Sequence, residues 1–83
     1  MMNLLEQWII QILYDSNSVV IVSDICDETY YNCNVINGHI SILKKKGLVQ
    51  SCKRSGMTIL SLTDYGNQIA EKIYGGGLNG TVV

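Results

Sequence analysis

Along this chain, apolar residues recur with spacings that switch between helical and strand-like. From residue 4 to residue 14, Leu4, Leu5, Trp8, Ile9, Ile12 and Leu13 return at about 100° per residue and predict a helix with one wide apolar stripe. Ile10 and Tyr14 lie off that stripe at i and i+4, forming a second, narrower apolar line flanked by Glu6 and Gln7. A helix apolar on two sides must bury both. The second line therefore packs either against a partner subunit or under the last helix of its own chain.

The stretch 34–49 organises the rest. Ile36, Ile40 and Leu43 fall at i, i+4 and i+7, so one face of a helix is apolar, while Asn34, Asn37, His39 and Ser41 point elsewhere. Such a helix has one side to bury and one side that can read a partner. Asn32 or Asn34 serves as its N-cap. Lys44, Lys45 and Lys46 complement the negative end of the helix dipole, and Gly47 supplies the left-handed cap conformation. Before it, 15–18 is a turn cluster, Val19 to Val22 a β-branched strand, and Ser23 caps a short helix through Thr29 with Ile25 and Cys26 facing inward. Two helices joined by about four residues, the second with a polar face, describe a helix-turn-helix.

Beyond Gly47, the segments 48–53 and 57–62 alternate around Arg54, Ser55 and Gly56, which predicts a β-hairpin with Lys53 and Arg54 at its tip. Thr63 caps a last helix, 64–74, with Leu62, Ile69 and Ile73 on its inner side. Gly75, Gly76 and Gly77 end it, and 75–83 reads as a flexible glycine-rich tail behind a single domain over 1–74. No internal repeat is present.

With 83 residues and 47% hydrophobic content, the chain can build one small core, of a size that dimerisation commonly supports. A net charge of −1 and a pI near 5.6 do not by themselves suggest a nucleic-acid partner. The distribution of charge does. Residues 29–63 contain no Asp or Glu but hold Lys44, Lys45, Lys46, Lys53 and Arg54, five of the six cationic residues, so a like-charged face is directed at a polyanion. The alternative is a solvated surface whose lysines only maintain solubility.

Cys26, Cys33 and Cys52 are an odd number without paired metal-ligand spacing, which argues against a zinc module or a secreted disulfide scaffold and makes reduced thiols the default, a disulfide staying open if the source is a hyperthermophile. No apolar run is long enough to span a bilayer and no signal peptide is evident, so the expectation is a cytoplasmic protein with no membrane partner. A phosphate-cradling glycine loop, a paired nucleophile and base, and a carboxylate dyad are all missing, so no enzyme, cofactor or metal is expected.

Three segments carry a family resemblance. S-D-I-C-D-E-T at 23–29 looks like the usual second helix, L-K-K-K-G-L-V at 43–49 is similar to a recognition helix running into a wing, and L-T-D-Y-G at 62–66 is like the L-T-x-x-G that opens the helix after the wing. In this order and spacing they resemble the winged helix-turn-helix regulators of bacteria and archaea, of MarR-like and PadR-like type. Small stand-alone examples in archaeal viruses are similar, which would put the protein in the host cytoplasm. The resemblance implies an α+β fold with a three-helix core, a β-hairpin wing and a C-terminal helix. The chain departs from the pattern at Tyr30, where the corner often has Gly, at Gly38, where a long polar side chain is usual, and in having no Arg before Lys44.

From these residues we expect a double-stranded DNA-binding transcription regulator acting as a homodimer, with the helix near 34–46 in the major groove and the wing at 53–56 on the backbone or minor groove. Base contacts would come from Asn34, Asn37, Ser41 and His39, with Val35 against a thymine methyl and Gly38 allowing close approach. Lys44, Lys45, Lys53 and Arg54 would touch phosphates. The homodimer would form through Leu4, Leu5, Trp8, Ile10, Tyr14, Ile69, Ile73 and Tyr74. No small-molecule ligand is inferred. Two alternatives stand beside this: a winged helix serving as a protein-interaction module, and a thiol-based sensor using Cys33 or Cys52.

Overall fold

The computed structural model describes residues 3–17 and 19–75, so most of the predicted tail lies outside the described residues. The element order is α1 (Leu4–Asp15), β1 (Val19–Ile21), α2 (Val22–Thr29), α3 (Cys33–Lys45), β2 (Val49–Arg54), β3 (Met57–Leu62) and α4 (Asp64–Ala70), followed by a π-helical turn over Glu71–Gly75. The three strands form an antiparallel sheet in the order β1-β3-β2. Register runs from Val19 opposite Ser61 to Ile21 opposite Ile59, and from Val49 opposite Leu62 to Arg54 opposite Met57. Ser55 and Gly56, at φ of 51° and 78°, form a two-residue hairpin loop with positive φ at both positions, which suits the twist of the flanking strands.

The helices and the sheet close over one core, whose fully buried side chains are Ile9, Ile10, Leu13, Ile25, Ile36, Leu43 and Leu60. In α3 the predicted face is the buried one: Ile36, Ile40 and Leu43. Asn32 is its N-cap, its side-chain oxygen accepting from the Asn34 N–H at 2.7 Å. At the other end the Leu48 N–H donates to the Leu43 carbonyl and the Gly47 N–H to the Lys44 carbonyl, both at 3.0 Å, with Gly47 at φ 78°. This is a Schellman cap, and its two bonds satisfy carbonyls that the helix end would otherwise leave unpaired.

The sequence L-T-D-Y-G locks onto that cap. The Thr63 hydroxyl donates to the Gly47 carbonyl at 2.6 Å and accepts from the Gly66 N–H at 2.9 Å, while the Thr63 N–H donates to the Leu48 carbonyl. A Cβ on Gly66 would overlap that same Leu48 carbonyl oxygen. Glycine is required there by close approach, not by φ.

Four expectations are corrected. On α1 the buried arc is Glu6, Ile9, Ile10, Ile12 and Leu13, and the wide stripe is split, because Leu4 (83% exposed) and Trp8 (39%) face solvent. Ile10, assigned to a partner-facing line, is fully buried in its own chain and offers no surface to a second subunit. Helix α2 starts at Val22 without a side-chain cap, so Ser23 is not its N-cap: pairing with β3 holds the chain extended through Ile21, and the helix begins directly after it. The last helix is interrupted, and the wider turn after Ala70 brings Tyr74 inward and leaves Ile73 44% exposed. Tyr74 donates its hydroxyl hydrogen to the Gln7 carbonyl at 2.9 Å and packs on Tyr14 with ring centroids 6.3 Å apart, so these two also meet within one chain.

Candidate nucleic-acid interface

The corner between α2 and α3 is made without glycine. Tyr30 itself takes the left-handed conformation, φ 61° and ψ 15°, and its N–H closes α2 on the Cys26 carbonyl at 3.0 Å. This geometry is strained for a bulky residue. Thr29 supports it, donating to the Ile25 carbonyl at 2.8 Å and accepting from the Tyr31 N–H at 3.4 Å. The corner turns the outer face of α3 to solvent.

That face carries Asn34, Val35, Asn37, Gly38 and Ser41, all exposed, with Lys44 and Lys45 exposed at its end. Lys53 and Arg54 are exposed at the hairpin tip. Among the described residues both ion pairs fall on Glu6, leaving Lys44, Lys45, Lys53 and Arg54 without a carboxylate partner. The tip lies beside α3: Gly56, Met57 and Thr58 line a cleft of about 250 Å³ together with Asn37 and Cys33 of α3 and Ile21, Val22 and Ser23. Asn37 and the hairpin tip are thus brought together, although Gly56 lies 19 residues after Asn37 in sequence. Nothing in the chain lies within 4 Å of a Cβ built on Gly38. No internal packing explains that glycine.

His39 is placed differently from the expectation. It is only partly exposed, and its Nδ1–H donates to the Glu6 carboxylate at 2.9 Å, so it ties α3 to α1 instead of joining the outer face. The other Glu6 oxygen accepts from Lys46 at 3.5 Å, and the Glu6 N–H donates to the Asn3 side chain at 2.8 Å. Burial pushes the Glu6 carboxyl up, but the His39 hydrogen bond and the Lys46 charge outweigh it and hold its pKa below the ordinary value.

Several surface residues were missed by the sequence reading: Tyr30 (93% exposed) and Tyr31 at the corner, Ile42 on α3 and Met57 on the hairpin. An aromatic pair in a short interhelical connection was the available signal. Of the thiols, Cys26 is buried, and Cys33 and Cys52 are exposed. Burial, and then the Cys33 thiol, push the Cys26 pKa up to about 11.

Solved structures share this arrangement. A transcriptional regulator homologue from Pyrococcus horikoshii OT3 superposes with a TM-score of 0.79 at 23% identity, over 96% of this chain and 81% of that one. The fold is a winged helix-turn-helix. The transcriptional regulator HlyU from Vibrio vulnificus matches with a TM-score of 0.78 at 18% identity, over 90% of this chain and 77% of that one. Lactococcus lactis ZitR matches with a TM-score of 0.77 at 13% identity, and the chain spans only 50% of its length. No family model matches the chain, and no curated protein matches it by sequence. In winged-helix terms, α2 and α3 are the helix-turn-helix and β2–β3 the wing. Among the described residues no helix is long and apolar enough to cross a membrane.

Proposed function

We propose that the protein is a double-stranded DNA-binding transcription regulator, acting where DNA is held in the cytoplasm. The outer face of α3 enters the major groove and the wing lies on the backbone or minor groove. The observation that carries this reading is that four exposed cations, Lys44 and Lys45 at the end of α3 and Lys53 and Arg54 on the hairpin beside it, have no ion-pair partner among the described residues of a chain that is acidic overall. Phosphate contacts from those cations position the protein, and Asn34, Asn37 and Ser41 read base edges, Asn37 being suited to adenine. With no Arg on this face before Lys44, bidentate reading of guanine is not available to it.

The regulator acts as a homodimer through the outer side of α1 and the end of the chain's last helix. Leu4, Trp8 and Ile73 supply the exposed apolar surface, and half-buried Leu5 and Ile69 border it. Two copies joined there would place two recognition helices in successive major grooves.

The test is a salt titration of binding to duplexes selected from a random pool. Four phosphate contacts from each protomer of the homodimer predict a log–log slope of about −7. The competing reading, a protein-interaction winged helix, draws support from Val35 and Ile42, both apolar and exposed on α3. It predicts no selected duplex and no salt slope.

A further inference from the structure

The first three turns of α3 lack the charged side chains that read a G·C pair. From residue 33 to residue 43 there is no Arg or Lys to pair with guanine O6 and N7, and no Asp or Glu to accept from cytosine N4. His39 is drawn off the outer face by its bond to Glu6. What stands outward is neutral: the amides of Asn34 and Asn37, the Ser41 hydroxyl, and two aliphatic side chains. Those two are Val35 and Ile42, 43% and 41% exposed, whereas the other isoleucines of α3, Ile36 and Ile40, are in the core. Seven residues apart, they lie two turns apart on one line of the helix, about 10 Å along its axis. Gly38 falls between them, and a Cβ built there meets nothing, so the backbone is bare where the line dips. Asn37 lies on the opposite flank, about 200° round the helix from Val35, beside the hairpin.

An apolar flank and an amide flank match the major-groove edge of an A·T pair, which presents adenine N7 and N6 at one end and the thymine methyl group at the other. We propose that α3 selects A·T-rich duplex, Val35 and Ile42 each packing on a thymine methyl group and Asn37 bonding to an adenine edge. At 3.4 Å per step the two thymines lie about three base pairs apart. This rests on the reading of the chain as a DNA-binding regulator and specifies the base pairs it takes. An apolar line alone would suit a protein surface as well. The charge around it favours the duplex: α3 contains no carboxylate, exposed Lys45 continues the line at its C-terminal end, and Lys44, Lys53 and Arg54 have no ion-pair partner among the described residues. A phosphate backbone on both sides of the groove supplies the missing anions.

The test deletes the methyl groups from the DNA and leaves the protein intact. Duplexes are selected from a random pool with the full chain, and each thymine of one half-site is then replaced in turn by deoxyuridine, which differs from thymidine only by the methyl group. Binding should weaken about fourfold at two positions, the ratio that burial of one methyl group corresponds to, and stay unchanged at the others. Val35→Ala and Ile42→Ala, changes at exposed positions, should each become indifferent to deoxyuridine at one of the two positions while melting close to the wild type. Selected half-sites built on G·C pairs, or tight binding that no deoxyuridine weakens, would overturn the inference and leave DNA binding standing. If no duplex is selected and binding shows no salt slope, the DNA-binding reading falls as well, and the line from Val35 to Ile42 belongs to a protein partner.

Discussion

Two glycines show how a single residue can be required for opposite reasons. Gly66 sits where any Cβ meets the Leu48 carbonyl oxygen, which cannot withdraw because Thr63 binds both that oxygen and the neighbouring Gly47 carbonyl. Gly66→Ala should therefore destabilise the chain by about 3 kcal/mol, the upper end for overpacking, and chemical denaturation would measure it. A neutral result would mean that α4 is not held against the cap of α3. Gly38 has no such neighbour, and glycine inside an exposed helix costs about 1 kcal/mol relative to alanine. Gly38→Ala should raise stability by that amount. If the recognition-helix backbone approaches DNA there, the same variant should bind its selected duplex about fivefold or more weakly, since that ratio corresponds to roughly 1 kcal/mol. A stabilised variant with unchanged affinity would remove Gly38 from the interface.

At the scale of elements, Glu6 is the link between α1 and α3. Its carboxylate is buried at 4% exposure and is held by His39 from the middle of α3 and Lys46 from its end. Glu6→Gln keeps the shape and removes the charge, so two charge-assisted bonds weaken and stability should fall by about 1.5–3 kcal/mol. The pH dependence has a definite sign. Because the folded state holds the Glu6 pKa below its ordinary value of 4.5, the stabilisation is fully present above that value and is lost as pH falls through the lower folded value. Urea titrations of wild type and variant should thus converge in acid, diverge as the pH rises towards 4.5, and keep a constant separation above it. Curves that stay parallel would show that the carboxylate charge is not what joins these helices.

For the whole molecule, assembly and recognition can be separated experimentally. Leu4, Trp8 and Ile73 are exposed on the terminal helices, so light scattering at roughly tens of micromolar, the weak-dimer range, should report a homodimer. Trp8→Lys should return it to a monomer without unfolding it, because Trp8 lies outside the buried arc of α1. On DNA, the double substitution Lys53→Ala with Arg54→Ala should weaken binding to all sequences alike and flatten the salt slope by about two units per wing pair. Asn37→Ala should leave the slope alone and reduce discrimination at one base pair by about 1–3 kcal/mol. Were the wing variant instead to change base preference while Asn37→Ala did not, α3 would not be the reading element.

What the sequence determined by itself is what acts over a few residues. The spacing of Ile36, Ile40 and Leu43 chose the buried side of α3, Gly47 its stop, Ser55 and Gly56 the hairpin turn, and L-T-D-Y-G the cap of α4, because periodicity, capping and turn geometry are settled locally. Even so, the reason for Gly66 became visible only when Leu48 was brought against it. What only the tertiary structure decided is which faces meet. Leu4, Trp8, Ile10 and Leu13 are equally apolar as letters, and nothing within α1 says that the core lies on the side of Ile10 and Leu13. That same side contains Glu6, one turn before Ile10, a carboxylate that reads as a solvated flank until His39 and Lys46, 33 and 40 residues away, arrive to compensate its burial. The meeting of Asn37 with the wing has the same origin: the corner at Tyr30 and the register of β2 on β3 bring them to one cleft. Contacts between elements depend on how whole surfaces pack, and no local spacing encodes that.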